Sequence, residues 1–184
     1  QLTAFYMIAL NLAMTKGSIS EEEYFDGIEQ LRKIPAQVEK VLECNDLVGQ
    51  IAEEIKEAND IFYLGRGVDY SLAMEGALKI KEISYVHAEA FAAGELKHGS
   101  IALIDKGTPV VAIATQGKLF EKMVSNMQEV RARGARVIAI TQEGNTEVEK
   151  SADRVIYIPK VDDMFASITA VVPMQLLAYH ASNI

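Results

Sequence analysis

The sequence predicts an α/β fold, a three-layer sandwich in which a parallel sheet is covered by helices on both faces, preceded by an all-helical N-terminal segment. Two observations carry this. From Asp60 onward, short strand-like runs alternate with helix-length segments. The strand-like runs are also continuously apolar, as strands buried on both faces are, with no alternation of apolar and polar residues.

The elements follow in order. Leu2, Phe5, Ile8 and Leu12 recur at helical spacing through Lys16, where Gly17 stops the run. Ser20 with Glu23 has the pattern of a capping box and opens a second helix through about Lys33. Pro35 is expected to start a third, with Val38, Val41, Leu42, Leu47, Val48, Ile51 and Ile55 on one side. Ile61–Leu64 then ends in Gly65-Arg66-Gly67, the mark of a buried strand feeding a turn. A long helix is expected over Tyr70–Tyr85, and a long polar connection over Ala88–Asp105. Pro109–Thr115 is the second strand, Lys118–Arg133 an amphipathic helix stopped by Gly134, and Ala135–Thr141 the third strand. A short polar helix at Thr146–Ala152, a fourth strand at Arg154–Pro159 and a helix from Met164 to Ser182 complete the chain, with a kink expected at Pro173. In such sheets ligands sit at the carboxyl ends of the strands. The segments after Leu64, Ala114 and Ile140 and the connection Ala88–Asp105 are therefore the ones to inspect.

A length of 184 residues suits one domain with a substantial core, and 49% hydrophobic with 24% charged residues is ordinary globular composition. The formal net charge of −8 disfavours nucleic acid and anionic membrane as partners, since both repel it. Cys44 is the one cysteine, so no internal disulfide framework exists and a reducing, cytoplasmic setting fits. Leu2–Met14 is too short to span a bilayer and lacks the features of a signal peptide. Gln1 opens inside an apolar helical run without Met or N-cap, which reads as a piece of a longer polypeptide.

The chemistry concentrates in Glu75-Gly-Ala-Leu-Lys79-Ile-Lys81-Glu82. On a helix, positions 75, 79 and 82 fall within roughly a 60° arc, so one face carries carboxylate, ammonium, carboxylate. An exposed salt-bridge ladder would look the same. The helix leads into His87-Ala-Glu89-Ala-Phe91-Ala-Ala-Gly94-Glu95-Leu96-Lys97-His98-Gly99, where charged residues interleave with small ones as in a tight polar loop.

These residues carry a resemblance. Glu75–Glu82, then Ile83-Ser-Tyr-Val-His87-Ala-Glu and Ala93-Gly-Glu-Leu-Lys-His98-Gly, are similar to the second sugar-isomerase (SIS) subdomain of the glucosamine-6-phosphate synthase family, the isomerizing glutamine–fructose-6-phosphate aminotransferases. The similarity continues through Glu129-Val-Arg-Ala-Arg-Gly134 and Val172-Pro-Met-Gln-Leu-Leu-Ala-Tyr-His180, so it spans the chain. It implies the flavodoxin-like SIS fold, with residues 1–59 as the end of a preceding SIS half and its linker, and 60–184 as the second SIS subdomain. It further implies an enzyme that joins glutamine-derived ammonia to fructose 6-phosphate and isomerises the product to glucosamine 6-phosphate. Glu82 would shuttle the proton between C1 and C2, with Lys79 as its partner and Glu75 anchoring the face. His98 would open the sugar ring in the neighbouring subunit's site, which calls for a homodimer. No cofactor and no metal ion are implied.

Departures from the family pattern matter as well. The family's Ser/Thr-rich phosphate loop lies in the first SIS half, and the corresponding turn here, Ala114-Thr115-Gln116-Gly117-Lys118, lacks the paired serines. The substrate phosphate is therefore not expected on this turn. Gly65-Arg66-Gly67 could cradle an anion through backbone N–H groups, or could simply be a tight turn. The family's Schiff-base lysine lies in a C-terminal tail beyond Ile184, and its glutaminase domain and first SIS half are partners outside these residues. The 184 residues alone are therefore expected to be inactive. Two alternatives remain: another SIS sugar-phosphate enzyme, such as a fructosamine-phosphate deglycase, or a non-catalytic sugar-phosphate-binding SIS module.

Overall fold

A computed structural model describes all 184 residues, Gln1–Ile184. Three helices come first: α1 (Leu2–Thr15), α2 (Glu21–Leu42) and α3 (Asn45–Ile55). They are followed by β1 (Asp60–Gly65), α4 (Val68–Ser84), β2 (His87–Ala92), β3 (Pro109–Ala114), α5 (Phe120–Ala132), β4 (Arg136–Gln142), β5 (Arg154–Ile158) and α6 (Ala166–Ser182). The five strands form one sheet in the order β2-β1-β3-β4-β5, and every pair is parallel.

Alternate residues of each strand point to opposite faces, and both faces are covered. Ile61, Tyr63, Val111, Ile113, Ile138 and Ile140 join Val48 and Ile51 of α3, Ile80 of α4 and Met174 of α6 in one core. Phe62, Leu64, Val110, Ala112 and Val137 join Met123, Met127 and Val130 of α5 in the other. This is the three-layer sandwich expected from continuous apolar strands. Close packing at the β1–α4 junction needs Gly65, because a Cβ there would lie 2.2 Å from the Asp69 carbonyl oxygen.

Two local expectations are corrected. Pro35 starts no new helix; it lies inside α2, and the break falls after Leu42, at Glu43-Cys44. A proline inside a helix costs about 3 kcal/mol, but Leu31, Ile34 and Val41 are buried on both sides of it. That continuous apolar stripe, packed in part against Phe165 and Ile168, holds the helix through the proline. The connection after α4 is not all loop either: His87–Ala92 pairs with β1 along its whole length as a fifth, edge strand. α6 runs on through the buried Pro173 as one element. Ser20 does form the expected capping box with Glu23.

α1 packs back through Tyr6, whose ring meets Phe165 edge-on at 5.1 Å and whose hydroxyl donates to the Met164 carbonyl. Its other side leaves Leu2, Phe5, Met7, Ile8 and Leu12 exposed. No helix is long and apolar enough to cross a membrane.

Candidate functional site

The charged face of α4 forms as the helical spacing requires. The Lys79 ammonium lies 2.6 Å from Oε2 of Glu82 and 3.7 Å from Oε1 of Glu75. All three side chains reach solvent, and Glu82 is half-exposed. The hydrogen bond to Glu82 and the charges of both carboxylates hold the Lys79 pKa above its ordinary value. At neutral pH this face therefore presents a fixed ammonium between two carboxylates, one of them within hydrogen-bond reach. Glu75 also lines an open groove of about 660 Å³ between α1, α4 and α6, together with Tyr6, Val68, Ile168 and Val171.

The start of α4 lies at the strand-end crevice, but its charged face does not. α4 starts at the carboxyl end of β1 and runs back along the sheet to Ser84, just ahead of the amino end of β2. Glu82 is fourteen residues past Val68, about 21 Å along the helix axis. It thus lies toward the amino edge of the sheet, away from the strand-end crevice. At the same edge His87 Nδ1 is 2.6 Å from Asp60 Oδ1, with both side chains exposed.

His98 lies at the opposite edge. It follows the carboxyl end of β2, at the close of a short 3-10 turn spanning Leu96–His98. Its imidazole is 76% exposed, and its nearest charged neighbour, Glu95 Oε2, is 3.8 Å away, too far for a hydrogen bond. Glu82 and His98 are thus separated by roughly the length of the strands, about 20 Å for six residues. Within one copy of the chain the two cannot meet around one sugar.

The strand-end crevice, where ligands bind in many such sheets, is filled by the chain itself. The turn after β3 directs its amides at two carboxylates. Thr115 donates its backbone N–H to Asp69 Oδ2 at 2.8 Å and its hydroxyl to Asp69 Oδ1 at 2.6 Å, and Gly117 N–H donates to Asp163 Oδ2 at 2.8 Å. Gln142 reinforces the arrangement, donating to Asp163 Oδ1 at 3.3 Å and to the Thr115 carbonyl at 2.9 Å. Burial pushes the Asp69 pKa up, against the hydrogen bonds from Thr115 and Gln116. An incoming phosphate would face two carboxylates and find these donors taken. Gly65-Arg66-Gly67 is a tight turn whose Gly67 Cα faces the Leu119 side chain, with Cδ1 3.1 Å from where a Cβ would stand. An apolar methyl there is unsuited to an anion, and the Arg66 guanidinium of the same turn is directed instead to Asn126 Oδ1, 2.8 Å away.

Nothing in the sequence pattern singled out Asp69 or Asp163. Asp69 reads as an ordinary first-turn acid and Asp163 as part of a polar lead-in to the last helix; only the fold brings both to one turn. Cys44, between α2 and α3, is half-buried, and burial raises its thiol pKa, which leaves it a poor nucleophile.

Comparison with known proteins adds four findings. The SIS domain model matches residues 54–184. The chain is 48% identical over 180 residues to a glutamine–fructose-6-phosphate aminotransferase [isomerizing] of Caldanaerobacter subterraneus, covering 98% of the chain and 30% of that protein. It is 51% identical over 178 residues to the protein of the same name in Thermus thermophilus, covering 97% of the chain and 30% of that protein. Among solved structures, the C-terminal domain of glucosamine-fructose-6-phosphate aminotransferase from Francisella tularensis superposes with a TM-score of 0.91 at 38% identity, covering 96% of this chain and 50% of that one. The chain thus spans about 30% of the length of the curated relatives it matches.

Proposed function

The chain belongs to the SIS domain family, and from that premise we propose that it is the second isomerase half-domain of a glutamine–fructose-6-phosphate aminotransferase. The observation that carries this is identity of 48% to 51% to proteins of that name across nearly the whole chain. The substrates are fructose 6-phosphate and glutamine-derived ammonia, and the product is glucosamine 6-phosphate.

Glu82 takes the proton from one of the two sugar carbons and returns it to the other, as an aldose–ketose shift requires. Lys79 is the fixed ammonium beside it, and its 2.6 Å contact with Glu82 supports a role in orienting that carboxylate or handling a sugar hydroxyl proton. Glu75 anchors the other side of that ammonium. His98 opens the sugar ring in the site of a neighbouring subunit. The separation of Glu82 from His98, with the imidazole exposed, supports a site shared between copies and hence a homodimer. The phosphate is gripped outside this strand-end crevice, by a first SIS half. Residues 1–59 belong to the end of that half and the linker, a reading supported by the family match beginning at residue 54 and by the exposed apolar side of α1. The glutaminase domain that supplies ammonia is the remaining partner, and the location is cytoplasmic, as suits a metabolic enzyme of this name. A deglycase or a non-catalytic module has no observation in its favour.

The test is Glu82→Gln and His98→Ala in a full-length enzyme carrying this sequence, following amino-sugar formation and glutamine hydrolysis separately. Loss of the first with most of the second retained supports the assignment. Wild-type synthesis in both variants would leave the α4 face as a solvated ladder and sink the mechanism.

A further inference from the structure

The segment that carries His98 is gripped from one side by a chain of four polar residues. Arg66, just past β1, donates from Nη1 to Asn126 Oδ1 at 2.8 Å. Asn126, buried on α5, donates from Nδ2 to Glu129 Oε2 at 3.2 Å. The other oxygen of Glu129, Oε1, lies 2.8 Å from the Lys97 ammonium. The same Arg66 guanidinium lies against Gly94, where a Cβ would stand 2.8 Å from Nη2. The segment is thus held at residue 94 and at residue 97, immediately ahead of His98.

We propose that Glu129 is a positioning residue for His98, acting through Lys97 and, by way of Asn126 and Arg66, through the backbone at Gly94. The role presupposes that His98 acts on the sugar, as argued above. Three features point to it. The His98 imidazole has no hydrogen-bond partner of its own within reach, so its position is inherited entirely from the backbone around it. The Lys97 side chain is 61% exposed, and ion pairs of that kind add little stability. Anchoring of the segment is already supplied by the buried Ala93 and Leu96 and by the Ala93 N–H bond to the Gly65 carbonyl at 2.9 Å. What Glu129 adds is direction: its two oxygens face two different donors and fix Lys97 relative to α5. A group serving another subunit's site must be aimed before that subunit is met, since misplacement by about 1 Å costs on the order of 100-fold in rate.

The experiment is a cycle of Glu129→Gln, His98→Ala and the double variant in a full-length enzyme carrying this sequence. Glutamine hydrolysis and the thermal midpoint serve as checks on folding, and Lys97→Met is a second probe of the same contact. The expected result is at least about a tenfold fall in kcat for amino-sugar synthesis in Glu129→Gln, with KM for fructose 6-phosphate changed less than twofold. The double variant should be no slower than His98→Ala alone, because Glu129 works through that imidazole. Multiplied losses in the double variant would make Glu129 a merely structural residue and overturn the proposal. So would wild-type synthesis in Glu129→Gln and Lys97→Met alongside a slow His98→Ala, an outcome that leaves the role of His98 standing. A wild-type rate in His98→Ala would overturn both.

Discussion

The Lys79 ammonium sits between two carboxylates of its own helix, 2.6 Å from Glu82 and 3.7 Å from Glu75. Such an exposed trio adds little to stability, and the role proposed for it above is chemical. Lys79→Met should lower amino-sugar synthesis by about 100-fold or more, the scale of a lost general acid–base partner, while the thermal midpoint at pH 7 stays near wild type. The pH dependence has a definite sign. The Lys79 pKa is raised above 10.5, chiefly by the hydrogen bond to Glu82, so any stability it adds is complete below 10.5 and lost only as pH climbs through the higher folded value. Thermal midpoints measured from pH 6 to 9 should therefore run parallel for wild type and variant; a gap that opens within that range would contradict this account.

Asp163 occupies, through its bond to Gly117 N–H, a place an anion would take in a doubly wound sheet. Asp163→Ala frees that donor and removes one of the two negative charges around the turn. Inorganic phosphate should then shift the Gly117 amide resonance in the variant and leave it unmoved in the wild-type chain. A phosphate-dependent shift in wild type would mean that the crevice is open and that the substrate phosphate has a possible seat in this half.

Much of the fold was legible because its physics is local. Ile61–Leu64, Pro109–Thr115 and Ala135–Thr141 are unbroken apolar runs, and each became a central strand. β2 was not legible, because His87-Ala-Glu-Ala-Phe-Ala is an edge strand, where one side need not be apolar and its identity comes from pairing with β1. Pro35 misled for a related reason: the packing of Leu31, Ile34 and Val41 is tertiary and overrides the local rule. For the site, helical spacing put Glu75, Lys79 and Glu82 on one face correctly. Their distance from the strand-end crevice depends on how far α4 runs back along the sheet, and the Asp69–Thr115 and Glu129–Lys97 contacts join residues 46 and 32 apart. No window of sequence contains those pairs.

Asp69 offers a stability test at the crevice. Its carboxylate accepts from both the Thr115 N–H and hydroxyl while almost fully buried. Alanine removes both acceptor oxygens, so the buried Thr115 N–H and hydroxyl lose this partner whether Asp69 is protonated or not. Asp69→Ala should therefore destabilise the fold by about 1–3 kcal/mol. Burial raises the Asp69 pKa above 3.8, so the folded state binds the proton more tightly than the unfolded chain. The stability contributed by that proton is full below 3.8 and is lost as pH rises through the folded value. Alanine has no such step. In urea titrations the gap between wild type and Asp69→Ala should accordingly be widest at the acid end and narrow as pH rises through that window. A gap that stayed constant across it would mean that Asp69 titrates alike in both states, and that burial is not what sets its charge.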